Sequence, residues 1–205
     1  MPNPNHLKNA ASYFAGLRET LSQLSELTID RIADTLADAY DENKTTFIFG
    51  NGGSASLASH FACDLSKGTT PYCVGRKRFR AIALTDNIPT ISAWANDSSY
   101  DDIFSEQLRS LAGPGDIAVA ISCSGNSRNV LKALAVARQH GATTIGLGGF
   151  GGGKMKALCD ISLIIPSTNM QFIEDLHLSA AHCIFTLVCD RISVGSQKIA
   201  VAAAY

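Results

Sequence analysis

His60 and Asp64 stand four positions apart in "FGNGGSASLASHFACDLSKG", residues 49–68. A helical repeat puts both on one face, where an imidazole and a carboxylate can serve as an acid–base pair or as two ligands of one divalent ion. The same stretch opens on "GNGGS". There Gly50, Gly52 and Gly53 permit backbone shapes closed to other residues, and Ser54 can cap the helix that follows. A second loop of this kind, "SCSGNS", offers the hydroxyls of Ser122, Ser124 and Ser127 and a Gly125–Asn126 turn ahead of another helical pattern. Free N–H groups and partial positive charge at a helix N-terminus favour an anion, and phosphate is the natural one. Neither loop matches GxxxxGK[ST] or GxGxxG, which points away from a nucleoside triphosphate or dinucleotide and toward a small phosphomonoester.

Regular elements must hold these loops in place. Residues 7–42 carry helical spacing, with Leu27, Ile32, Leu36 and Tyr40 recurring every four or five positions, and predict one or two amphipathic helices. Short apolar runs follow at 45–50, 80–84, 116–122, 142–147 and 161–165, separated by helical patterns. Continuous apolar strands joined by helices imply a parallel sheet covered on both faces, hence a three-layer α/β fold. Ligands of such sheets bind outside the carboxyl ends of the strands, where both serine loops fall.

The chain has 205 residues, enough for one domain with a substantial core. A net charge of −1 provides no field for gathering nucleic acid, so none is expected as a partner. The basic run "GRKRFR" at 75–80 reads as a solvated loop, with a place near an anionic ligand as the alternative. The start lacks a secretory pattern, no run approaches the ~20 apolar residues of a membrane span, and a soluble, cytoplasmic protein is expected. Six cysteines without a CxxC pair read as reduced core residues. Cys63 reads as a packing residue, Trp94 as a core or subunit-interface residue, and His177 as a core or interface polar contact.

"GNGGSASLASHFACDL", "ANDSSYDDIF", "ISCSGNSRNV", "GGGKM" and "FIEDLHLSAAH", in that order, resemble the sugar isomerase (SIS) domain of the phosphoheptose isomerases over about residues 7–192. The resemblance implies a flavodoxin-like five-stranded parallel sheet and a homotetramer with active sites at subunit interfaces. It divides the chain into an N-terminal helical assembly segment (1–43), the SIS domain (44–192) and a C-terminal tail (193–205). The implied reaction converts sedoheptulose 7-phosphate to D-glycero-D-manno-heptose 7-phosphate. By motif, Asn51, Gly52, Gly53, Ser54, Asp97, Ser122, Cys123, Ser124, Ser127 and Glu174 would bind substrate, Cys123 standing where the family commonly has threonine. Asp64 takes the place of the family's glutamate base, and His182 matches its acid. A zinc site in some members would map to His60, Asp64, Glu174 and His182, with aspartate for glutamate and glutamate for glutamine. Glu174 and His182 are eight residues apart, about 12 Å of helix rise, a long reach for one ion within one subunit.

Such a set suits aldose–ketose isomerisation, which moves a proton between adjacent carbons through an enediol and needs a base, an acid and, where present, a metal that polarises the oxygens. Three other readings remain. A binding protein related to replication-initiator partners lacks the carboxylate and second histidine, so Asp64 and His182 favour an enzyme. A sugar-phosphate sensor needs only the serine loops, and an isomerase of another phosphosugar shares the whole set.

Overall fold

The computed structural model describes residues 9–73 and 77–202, the backbone alone over 194–202. Gly75 and Arg76 of the basic run, and residues 1–8 and 203–205, lie outside the described residues. Five parallel strands, β1 (Thr45–Gly50), β2 (Arg80–Ala83), β3 (Ile117–Ser122), β4 (Thr143–Gly148) and β5 (Ile161–Ile164), form one sheet in the order β2-β1-β3-β4-β5. This flavodoxin-like order reverses direction between β1 and β3, where a cleft opens at the strands' carboxyl ends.

Alternation along the strands sends side chains to two cores. Ile48, Val119, Ile121, Ile145 and Leu147 pack against α2 (Glu26–Asp41), α3 (Gly53–Cys63) and α7 (Met170–Ala202). Phe47, Phe49, Ala118 and Ala120 face α5 (Ser105–Leu111) and α6 (Arg128–Gln139) on the other side. α1 (Ala10–Leu21) and α4 (Ile88–Asp97) complete the set. Asn9 caps α1 reciprocally with Ser12, Ser25 caps α2, and Asn169 accepts from the backbone N–H groups of Gln171 and Phe172 at the start of α7.

Several expectations need correction. On α2 the buried face is Ile29, Ile32, Leu36 and Tyr40, whereas Leu27 is 80% exposed, because two residues before Ile29 it points to the opposite side of the helix. Cys73, Cys123 and Cys189 are buried as expected, but Cys63 and Cys183 are exposed; no cysteine among the described residues is paired. Ser54 does not cap α3: Gly52 holds that position, with no side-chain cap bond, and Ser54 is buried as the second residue of the helix. α7 runs unbroken through the expected boundary at 192/193, and its segment Met170–Ser193 is long and apolar enough to cross a membrane. Half of that segment is buried against the rest of the fold, as in a core helix. His177 is the expected core contact, its Nε2 3.1 Å from the Gly148 carbonyl. Of the basic run, Lys77 bonds the Asp41 carbonyl and Arg80 bonds Thr45 Oγ1, both from exposed positions.

Candidate active site

The two serine loops lie side by side because β1 and β3 are neighbours. Asn51 to Ser54 leave β1 and enter α3, while Ser122 to Ser127 leave β3 and enter α6. Neither helix has a bond from its N-cap side chain. The Ser54 and Ala55 N–H groups donate to the Asn51 and Gly52 carbonyls and the Val130 N–H to Asn129 Oδ1, while both helix N-termini turn their partial positive charge toward the loops. A cavity of about 340 Å³ between the loops is lined by Asn51, Gly52, Gly53, Ser54, Ser122, Cys123, Ser124, Ser127 and Glu174. Ser122 and Ser127 face each other, hydroxyl to hydroxyl, at 3.3 Å. Burial, then the negative charge of Glu174, pushes the Cys123 thiol above its ordinary value, so this cysteine is a neutral wall and no nucleophile.

The "GGGKM" turn, residues 151–155, closes over the second loop. Met155 N–H donates to the Gly125 carbonyl at 2.9 Å, and Lys154 N–H to Asn126 Oδ1 at 3.2 Å. Gly125 has φ +62°, and a Cβ there would fall 2.0 Å from the Gly152 carbonyl oxygen, so both the conformation and the approach require glycine.

A second cavity, about 260 Å³, adjoins the first and shares Gly53, Ser54 and Glu174 with it; His60 and His177 line its far side. Just beyond, His60 Nε2 lies 3.4 Å from Asp64 Oδ2 and 3.3 Å from His182 Nε2, with His182 Nε2 3.9 Å from Asp64 Oδ2. His60 comes from α3, His182 from α7, and Asp64 from the π-helical turn Asp64–Gly68 that follows α3. Such turns are rare, recur at functional positions, and re-aim the side chains they carry. Two imidazole Nε2 atoms this close share one proton or face a cation. A tetrahedral ion with ligands at about 2.0–2.1 Å sets them about 3.3 Å apart, and the two imidazoles and carboxylate match that spacing closely enough to hold a divalent metal.

The structure thus groups three of the four expected ligands. Glu174 stands apart from that group, its carboxylate packed beside Gly53 at the junction of the cavities. Asp97, at the end of α4, bonds Asn96 Nδ2 and lines neither cavity. Sequence reasoning passed over Asn129, whose amide pairs reciprocally with that of Asn51 at 2.8 and 2.9 Å, and Tyr13, which donates to Asp175 at 2.5 Å beside the second cavity. That bond to a carboxylate raises the Tyr13 hydroxyl to about 12. Nothing in the local sequence of Asn129 marks it, since its partner lies 78 residues away.

The SIS domain family pattern matches residues 12–149. The phosphoheptose isomerase of Trichlorobacter lovleyi is 43% identical over 173 residues, 83% of this chain and 85% of that protein. Among solved structures, the phosphoheptose isomerase of Neisseria gonorrhoeae superposes with a TM-score of 0.77 at 32% identity, covering 90% of this chain and 96% of that one. That of Francisella tularensis gives 0.79 at 30%, covering 89% and 95%. The chain belongs to the SIS domain family, among the phosphoheptose isomerases.

Proposed function

We propose that the chain isomerises sedoheptulose 7-phosphate to D-glycero-D-manno-heptose 7-phosphate, its phosphate held by the serine loops and its reacting carbons presented to His60, Asp64 and His182. The observation that carries this is the convergence of two imidazoles and a carboxylate from separate elements beside an anion cleft. Asp64 directs Oδ2 at both histidines, which leaves Oδ1 to take the proton from C1 of the ketose. His182 gives a proton to O2 as the enediol forms. The proton from C1 returns from Asp64 to C2 while the O1 proton passes to His182, which restores both groups and completes the aldose with no change in composition. A zinc ion held by His60, Asp64 and His182 would, when bound, occupy the His182 nitrogen and supply the polarisation of the substrate's oxygens in place of that proton. Glu174, between phosphate and triad, is placed to bond a sugar hydroxyl.

Assembly as a homotetramer is part of the same reading. The histidine side chains are 48% and 50% exposed, which leaves a face of the site open to another subunit, and Phe14, Leu21 and Leu27 on α1 and α2 offer exposed apolar surface. A cytoplasmic location follows from the expected substrate, and no nucleic acid or membrane takes part. Incubation with a panel of ketose phosphates, read by aldose formation, tests the proposal: turnover of the seven-carbon ketose supports it. Turnover of another ketose alone assigns a different sugar, for which glutamate at 174 would be the first residue to examine. Metal analysis of untagged protein, with activity lost on chelation and restored by zinc, tests the ion.

A further inference from the structure

Asn129, the second residue of α6, is 2% exposed and does not line the cleft. Its Oδ1 accepts from the Val130 backbone N–H at 2.9 Å and from Asn51 Nδ2 at 2.9 Å, while its Nδ2 donates to Asn51 Oδ1 at 2.8 Å. Tyr100 donates its hydroxyl to the same Asn51 Oδ1 at 3.2 Å. The two ends of a carboxamide have nearly the same shape, so partners decide which end is oxygen. Val130 N–H can only donate. It therefore fixes the Asn129 oxygen, and the reciprocal pair fixes Asn51 in turn. Both lone pairs of Asn51 Oδ1 are then filled, and one hydrogen on its nitrogen remains. Asn51 lines the serine-loop cavity, so what its side chain offers there is a donor.

We propose that Asn129 is a positioning residue that sets Asn51 as an N–H donor toward an acceptor oxygen of the bound ligand, and so couples the end of β1 to the N-terminus of α6. The inference rests on the reading of the cleft as a sugar-phosphate site. The segment carrying Tyr100 is itself fastened to the first two turns of α6, by Arg128 to Asp101 at 2.6 Å and by Lys132 to Asp102. One backbone N–H thereby orients three side chains from three parts of the chain. The acceptor is a phosphate oxygen or a sugar carbonyl. Inorganic phosphate as a probe separates them, because its affinity moves with Asn51 only in the first case.

The test is a double-mutant cycle with N51A, N129A and N51A/N129A, measuring KM and kcat for the sugar phosphate and Kd for inorganic phosphate. Each single variant should raise KM about tenfold, the loss of one hydrogen bond to a charged or strongly polar group, with kcat held within about threefold. The double variant should be no worse than the singles, since both remove one donor. A merely structural role for Asn129 would lower the amount of folded enzyme and leave KM alone. A KM for N129A within about twofold of wild type, or losses that multiply in the double variant, would overturn the proposal. Should N129A fail to fold, Y100F, at an exposed hydroxyl, carries the same cycle: a KM rise in the wild-type background and none in N51A supports the coupling, and an equal rise in both refutes it. Wild-type protein that binds phosphate in an Asn129-dependent way yet turns over no heptose phosphate would defeat the function proposed above while leaving this inference intact.

Discussion

Gly53 separates the contribution of Glu174 from the stability of the fold. It is the first residue of α3, and a Cβ built on it would lie 2.7 Å from Glu174 Oε1 and 3.2 Å from its Cδ. Gly53→Ala is neutral or mildly stabilising for the helix, by up to about 1 kcal/mol, since its backbone needs no positive φ. The methyl displaces the carboxylate instead, which must retreat by roughly 0.7 Å to reach ordinary contact distance. A misplacement near 1 Å in an active site costs on the order of a hundredfold, so a loss of ten- to fiftyfold in kcat/KM is expected with unfolding free energy within about 1 kcal/mol of wild type. Urea denaturation and steady-state kinetics on Gly53→Ala, Glu174→Ala and the double variant supply the measurement. If the effect passes through Glu174, the alanine at 53 adds nothing once the carboxylate is gone. An equal loss from Gly53→Ala in both backgrounds would show that the methyl obstructs the ligand directly, and the placement of Glu174 in the reaction would be refuted.

Burial holds His177 neutral, lowering its pKa from 6.5 to about 4 despite the opposing bond to the Gly148 carbonyl. The unfolded chain therefore binds a proton between these values that the native state refuses, so stability is full above about pH 6.5 and falls as pH drops toward 4, by about 3 kcal/mol through this group. In urea melts at pH 7.5 and 4.5, His177→Asn should show a pH loss smaller than wild type by about 2–3 kcal/mol; equal losses would mean another group is responsible. Gly125→Ala should cost at least about 2 kcal/mol, combining a left-handed backbone with a methyl against the Gly152 carbonyl. A cost under about 1 kcal/mol, read by thermal or urea unfolding, would show that the 151–155 turn is not packed on the second serine loop as described.

The strands were legible because a parallel sheet buries both faces and writes continuous apolar runs: all five expected runs became strands, with ends shifted by no more than one residue. The His60–Asp64 pairing followed from helical spacing, and the phosphate loops from glycine and serine at strand ends. What stayed hidden depends on contacts between distant segments. The placement of Leu27 is no such case: the strict helical spacing to Ile32, Leu36 and Tyr40 runs through Ile29, which is buried, while Leu27, two residues away, points to the opposite side of α2. Cys63 is exposed although its neighbours Phe61, Ala62 and Leu65 are buried, because α3 there turns its outer face to solvent. The separation of Glu174 from His182 along α7 was legible as an awkward reach. That Gly53 leaves the space for Glu174 was not, since nothing in either segment names the other.

The central claim is that the Asp64 carboxylate moves the proton in a phosphosugar isomerisation. Asp64→Asn keeps the size of the side chain while removing the proton acceptor and the anionic ligand, and it leaves both serine loops untouched. Turnover of sedoheptulose 7-phosphate and binding of inorganic phosphate, measured side by side on wild type and Asp64→Asn, test it directly. The account predicts that wild type forms the aldose and that the variant forms it at least about a thousandfold more slowly, roughly the contribution of a general base, while phosphate affinity stays within about threefold of wild type. A variant that isomerises at the wild-type rate would contradict it.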